Sequence, residues 1–496
     1  MEKINGRKLS LIFIFILILL VIALLVGKFT YSYLGPTISD DLETQGEVTA
    51  SGDTLIFTKG NNLSLSATTD NFTTGGTNLT STTNPKVKLV ASTKTNQADA
   101  TYYVGVLIKN NTYVYTTSGN TPELILTIKD EKGNNVTSGV DGLTYVTSGG
   151  VSGFDVTGKK GLFNIKTDYP ISTTSSSSGT THTWAFTLTF VNLGTDQSEN
   201  ENASMDLDIY LQKTKVPSTL ADVCTSGVNL ADCIVTLNDK STSSVSNIYY
   251  HDSTLANGAG DNSYRYAGAS DSVNNYICLG SDTTTCPDAN LFRIIGVFGD
   301  QTKVIRAKSV GNKQWHTSES NTWSSSSLNT YLNGEYLTSL GTLADKIATT
   351  TWKVGGGTYA NISDVVPATA YQNEVGSSAS STTVDKKIGL MYVSDYYYSA
   401  SPSAWTLVGY NESDATKDYR AAKSTNWLYL GSTEWTISRR SDISDNSNLA
   451  FGVVLAGLVY HFNVSNYRGV RPSFNLESSV KYVSGSGGMS DPVRVN

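Results

Sequence analysis

Charge is what this sequence has least of: Asp, Glu, Lys and Arg make up 16% of its 496 residues, well below the roughly 25% usual in soluble domains. Basic residues are the scarcer sign, 36 against 43 acidic, for a formal charge of −7. Binding along a phosphate backbone takes clustered Lys and Arg, so nucleic acid is a poor partner class. Lys3, Arg7, Lys8 and Lys28 stand against Glu2 within residues 1–30, which leaves the rest of the chain more acidic still and ill suited to an anionic membrane surface. The four cysteines and four histidines are too scattered for zinc: no Cys-x-x-Cys occurs, and His182, His251, His316 and His461 stand singly. A hydrophobic share of 39% excludes a wholly disordered chain. Ser, Thr, Asn and Gly fill the place of charge, the polar and turn-rich look of an exported all-β protein. The length suffices for two or three cored domains.

One long hydrophobic run is present. Residues 9–27, LSLIFIFILILLVIALLVG, carry no charge, and at ~1.5 Å per residue they nearly match a ~30 Å hydrocarbon core. Lys3, Arg7 and Lys8 precede the run and Asp40, Asp41 and Glu43 follow it, so the positive-inside rule keeps the N-terminus cytoplasmic and exports the remainder. The alternative is a cleaved signal peptide, whose apolar region usually spans about 7 to 15 residues before a small-x-small site. Here the run is longer, and KFTYSYLGP puts bulky residues after it. The expectation is a single-pass signal anchor in the cell membrane, with a stub (1–8), a span (9–27) and a short acidic stalk (28–47). No cysteine lies near it for lipidation, and no second apolar segment closes the chain.

Cys224 and Cys233 enclose CTSGVNLADC, and Cys278 and Cys286 enclose CLGSDTTTC. Two local disulfides require the least chain reorganisation of the three connectivities, each contributing roughly 2 to 3 kcal/mol by loop closure. Free thiols are the alternative.

Composition divides the exported part. Residues 48–214 are Thr-rich and alternate: Trp184, Phe186, Leu188 and Phe190 share one face of a strand, and Met205, Leu207, Ile209 and Leu211 one face of another. Further strands are expected at 54–58, 86–91, 101–109, 113–117 and 123–129, separated by Asn- and Gly-rich turns. Many short strands without a helical period predict an antiparallel β-sandwich. Val216-Pro217-Ser218 marks a boundary. Residues 215–288 are expected as a connecting region holding the disulfide loops, and 289–496 as an α+β domain. There, 291–298 and 303–307 predict a hairpin around Gly299-Asp300. A helix is expected from Leu328, Tyr331, Leu332, Leu337 and Leu340, capped within 324–327 and stopped by Gly341. Strands follow at 435–438, 452–462 and 473–476.

The order LFRIIGVF (291–298), GLMYVSDY (389–396), NWLYLGSTEWTIS (426–438) and YRGVRPSFNLESSVKYVSGSGGMSDPVRV (467–495), after DNSYRYAGASDSVNNYICLG (261–280), resembles a family of membrane-anchored surface domains of Gram-positive bacteria. That family is in turn distantly similar to the C-type lectin-like and formylglycine-generating-enzyme fold. The resemblance implies an exported setting and a mainly β chain ending in an α+β domain of C-type lectin-like type. It carries over no site: the Glu-Pro-Asn, Gln-Pro-Asp and Trp-Asn-Asp triplets of calcium-dependent sugar binders do not occur, nor can the oxidase's copper-type cysteine pair be placed. Residues 48–214 resemble, more loosely, anchored sandwich proteins of bacterial matrix fibres.

Catalytic patterns are near misses. GFDVTGKK (153–160) approaches a phosphate-binding loop, but Lys160 stands where Ser or Thr must reach magnesium. No Gly-x-Ser-x-Gly elbow occurs. Asp442 and Asp445 in RRSDISDNSN are weak calcium candidates against a solvated loop. Arg471 is expected to pair a core carboxylate, and Arg439 and Arg440 to form a cation–π contact with Trp435. The 28 tyrosines give the functional hint. DYYYSASPSAW (395–405) groups Tyr396, Tyr397, Tyr398 and Trp405 in what reads as a polar loop, the chemistry of glycan or protein recognition, with core packing as the alternative. The expected function is a non-catalytic, adhesin-like recognition protein without a cofactor. The alternatives are a self-associating matrix or fibre protein, and an exported enzyme on the oxidase-like fold.

Overall fold

The computed structural model describes residues 45–50, 53–66, 71–72, 74–441 and 448–496. The expected membrane span at 9–27 lies outside them. Among the described residues no helix is long and apolar enough to cross a membrane. The chain is mainly β, arranged in several predominantly antiparallel sheets.

The described residues before 214 form three sheets, all of antiparallel pairs. The first runs Gln45–Ala50, Asp53–Thr58, Lys86–Val90, Thr180–Thr183; the second Gly161–Thr173, Ala98–Asn111, Ser204–Gln212, Leu63–Ser66; the third Leu79–Thr83, Ala185–Phe190, Leu124–Lys129, Val151–Asp155, Thr144–Ser148. Trp184 is the pivot between the first and third. Its backbone N–H donates to the Pro85 carbonyl at 3.0 Å, carrying the Thr183–Lys86 register on to Phe186–Thr83, and its indole donates to the Tyr102 hydroxyl at 2.8 Å. Trp184, Phe186, Leu188 and Phe190 are all buried in one core with Met205 and Leu207, as the alternation requires.

Two expectations are corrected here. Residues 113–117 form no strand, because side chains satisfy that backbone: the Val114 N–H donates to Asn200 Oδ1 at 2.8 Å and the Thr116 N–H to Glu123 Oε1 at 2.6 Å. Asp208, which period-two alternation sets on the face opposite Leu207 and Ile209 and so toward water, is instead buried between Lys109 at 2.6 Å and Lys59 at 3.4 Å. The 13-residue strand Gly161–Thr173 has one partner strand, and its register shifts around Lys166 and Asp168. Asp168 takes a positive φ of 49° and Pro170 lacks an N–H. Such features blunt an edge against further strands.

The second core begins at Leu220. Its larger sheet holds Ile248–Tyr250, Tyr264–Tyr266, Leu291–Phe298, Tyr276–Cys278, Val493–Val495 and Tyr482–Ser484, with Gln301–Arg306 and Ser473–Leu476 added beside Leu291–Phe298. Tyr276–Cys278 pairs Val493–Val495 in parallel. A second sheet runs Asn312–Gln314, Tyr467–Gly469, Glu434–Arg439, Leu449–Val453, Val459–Asn463, and Thr350–Lys353 pairs Thr383–Lys386. Residues 215–288 are therefore no mere connector: the helix Leu230–Lys240 buries Leu230, Ile234 and Leu237 in the same core as Phe292 and Ile294. Leu291–Phe298 and Gln301–Arg306 form the expected hairpin, with Gly299 at φ +63° in the turn. The helical stretch starts where the Ser326 hydroxyl accepts the Asn329 N–H at 3.0 Å and widens to a π turn over Leu332–Tyr336; its α-helical part ends before Gly341, φ +57°, which opens a short 3-10 helix to Lys346. The strand expected at 452–462 is two, Leu449–Val453 and Val459–Asn463, folded back on each other.

Candidate functional site

Tyr396, Tyr397, Tyr398 and Trp405 are buried in the core, which corrects the reading of 395–405 as a displayed aromatic loop. Tyr396–Tyr398 lie on the helix Val393–Tyr398, all of whose residues are buried. Their polar tips are satisfied by backbone carbonyls: Tyr396 donates to Gly457 at 2.6 Å, Tyr397 to Ile362 at 2.9 Å, Tyr398 to Asn257 at 3.2 Å, and the Trp405 indole to Ala400 at 3.0 Å. A tyrosine whose hydroxyl finds an internal acceptor buries at little cost. Asp442 and Asp445 lie outside the described residues. Cys224 pairs with Cys233 and Cys278 with Cys286, at Cα separations of 5.5 and 5.8 Å. Lys160 sits in a turn between two strands, without the helix a phosphate loop needs. Arg471 pairs buried Glu434 at 2.7 Å. Arg439 and Arg440 do not stack on Trp435: Arg439 donates to the Gly355 carbonyl at 2.9 Å, and the Arg440 guanidinium lies 5.5 Å over the Tyr359 ring.

That last contact belongs to an aromatic face which the sequence reading missed. Tyr359 opens the short helix Tyr359–Ile362, Tyr410 comes from a loop, and Tyr460, His461 and Phe462 from the edge strand Val459–Asn463. The rings of Tyr460 and His461 are nearly parallel, 20° and 4.4 Å apart. Tyr359 lies 5.5 Å from His461 and 6.2 Å from Tyr410, and Tyr410 lies 5.8 Å from Tyr460. Tyr460 is 37% exposed, and Tyr359, Tyr410, His461 and Phe462 are half-buried. Guanidinium groups of Arg420 and Arg468 lie 5.5 and 4.5 Å over Tyr410 and Phe462. Burial, with Tyr410 and Tyr460 beside it, raises the Tyr359 hydroxyl's pKa, so it stays a hydrogen-bond donor at physiological pH. Partly exposed rings carrying hydroxyl tips and framed by arginine can stack on a sugar face or a planar side chain. The five rings come from positions up to about a hundred residues apart, and YHF within 452–462 was the sole local signal.

Apart from that face, a concavity of about 160 Å³ opens beside the Thr350–Lys353 strand. Lys303 donates to Asp395 at 2.6 Å, and Arg265 reaches Asp261 at 2.6 Å. The Lys303 ammonium lies 4.6 Å over Tyr392, 5.4 Å over Phe298 and 5.5 Å over Trp352. Burial lowers its pKa against the opposing pull of Asp395. Burial would raise Asp261, but Arg265 and Ser263 bring its carboxyl down to about 2. Behind them Glu374 accepts from the Val393 and Ser394 N–H groups at 2.8 Å and from the Ser438 hydroxyl; burial outweighs these donors and raises its pKa.

Compared with family models, curated proteins and solved structures, the chain matches none.

Proposed function

We propose that the chain is a single-pass membrane protein of the bacterial cell surface, its N-terminus cytoplasmic and its β-rich bulk extracellular, presenting a non-catalytic recognition body to a glycan or protein ligand. On this reading residues 48–214 act as a sandwich-type spacer, and the body from Leu220 onward is of C-type lectin-like type. The uncharged run 9–27 with cations before it supports the topology, and two disulfides suit an oxidising exterior. The observation that carries the recognition reading is the face of Tyr359, Tyr410, Tyr460 and His461, framed by arginines rather than sealed in the core. Tyr and Arg dominate binding hot spots because they supply rigid area with hydrogen-bonding tips. The test is an array of glycans and matrix proteins probed with the full chain in lipid nanodiscs, with calcium and with chelator. A saturable hit lost in the Tyr410→Ala/Tyr460→Ala double variant is expected. Absence of any hit in both conditions removes this reading and favours self-assembly.

A further inference from the structure

We infer that the recess between Lys303, Trp352 and Asn475 is a binding site for one neutral, hydroxyl-rich unit of a saccharide. This site is separate from the aromatic face and does not rest on it. Lys303 and Asn475 are direct cross-strand partners of the Gln301–Arg306 and Ser473–Leu476 ladder, which sets their side chains on one face. Asn475 is 9% exposed, its amide nitrogen donates to Thr350 Oγ1 at 3.1 Å, and its Oδ1 has no hydrogen-bond partner. A buried acceptor left open carries a desolvation cost that a donor on a ligand removes. Lys303 gives one of its three protons to Asp395, which leaves donors for the same ligand.

Charge then selects the ligand. Lys303 is balanced by Asp395 and Arg265 by Asp261, while Lys353 on the rim is half exposed and screened by water. A carboxylate placed on Lys303 would face Asp395 and the Asn475 oxygen. An ammonium placed on Asn475 would face Lys303 and Arg265. A hydroxyl accepts from Lys303 and donates to Asn475 at no charge cost, and a vicinal pair spans both. Phe298, Trp352 and Val375 line the recess between its polar groups, which suits the C–H groups of a sugar ring. At about 160 Å³ the half-open recess takes one edge of a six-membered sugar ring and leaves the rest in its mouth, since a closed cavity of about 150 Å³ holds benzene, with half a hexose's heavy atoms.

Calorimetric titration of the full chain in nanodiscs tests this with the methyl glycosides of glucose, galactose, mannose and N-acetylglucosamine, and with glucuronate and glucosamine as charged comparators. At least one neutral glycoside is expected to bind saturably in the millimolar range, with both charged sugars about tenfold weaker. Asn475→Leu should weaken it about tenfold. Thr351→Trp, at the exposed rim, should abolish it while leaving the thermal melt unchanged. Failure of all four neutral glycosides overturns the inference, as does equal binding of a charged sugar. Binding that survives Thr351→Trp but disappears in Tyr460→Ala would place the sugar on the aromatic face and likewise overturn it. Proposed recognition through that face fails only if its own ligand is absent, an outcome the pocket variants do not affect.

Discussion

The two cores of this molecule solve burial in different ways. Before residue 214 the core is a run of alternating apolar residues from three sheets; its buried Glu123 accepts neutral donors, the Thr116 N–H at 2.6 Å and hydroxyl at 2.7 Å and the Gln197 and Asn200 amides at 2.7 Å, while buried Asp208 pairs only with lysines that reach partly into solvent. Beyond Leu220 the interior holds whole cations. Arg293 stacks 4.2 Å over Tyr276 and 4.7 Å over Trp427, Arg471 is tied to Glu434, and Lys303 to Asp395. A ladder core is stabilised by area; a core with buried ion pairs adds geometry, because each charge is tolerable only with its partner in place. The difference teaches that the second region is the more specified and the more fragile to single polar substitutions.

The largest break in that comparison is expected from Arg471→Met, which strands Glu434 in the core and should cost roughly 3 to 5 kcal/mol in denaturant unfolding. Replacing both partners by apolar residues should recover most of the loss; equal damage from the pair and the single variant would contradict the ion-pair account.

Acid comes next. Burial, with Arg265 nearby, brings the pKa of His251 down to about 3, while its Nδ1 accepts the Ala259 N–H at 3.1 Å and its ring packs on Tyr398 and Trp405. The unfolded state then binds more protons, so the stability it contributes is present above about pH 6.5 and is lost as pH falls toward about 3. His251→Phe should flatten that loss in a thermal-melt series. His182 in the first region is also lowered, by burial, but is only partly covered, so melts of the first region should respond less over the same window.

Smaller is Glu123→Gln, which turns a pure acceptor toward donors and should cost about 1 to 3 kcal/mol, confined to the first region's transition. Smallest in stability is Tyr460→Ala, about 1 kcal/mol in the same unfolding assay, because the ring is over a third exposed yet stacks on its neighbours. Paired with a loss of ligand binding, that result separates a recognition residue from a packing one.

The same contrast governs what could be read in the sequence. Period-two alternation placed Trp184, Phe186, Leu188 and Phe190 in the core, and local chemistry gave the Gly299 turn, the Ser326 cap and the Gly341 stop, since each depends on neighbours a few residues away. Segment 113–117 was misread because Asn200 and Glu123, far along the chain, take over its hydrogen bonds. Tyr396, Tyr397, Tyr398 and Trp405 looked displayed because Ser and Pro surround them, whereas carbonyls of Gly457, Ile362 and Asn257 receive the tyrosine hydroxyls from elsewhere in the chain. The exposed face and the Lys303 recess are built from residues brought together only by the fold, so neither carries a motif.

The most direct test of recognition through the exposed face is side-by-side surface binding of the full chain in nanodiscs, its Tyr410→Ala/Tyr460→Ala variant and its Thr351→Trp variant, against the array ligand. The account predicts that the aromatic variant loses binding while remaining folded and that the rim variant keeps it. Undiminished binding by the aromatic variant would contradict the account.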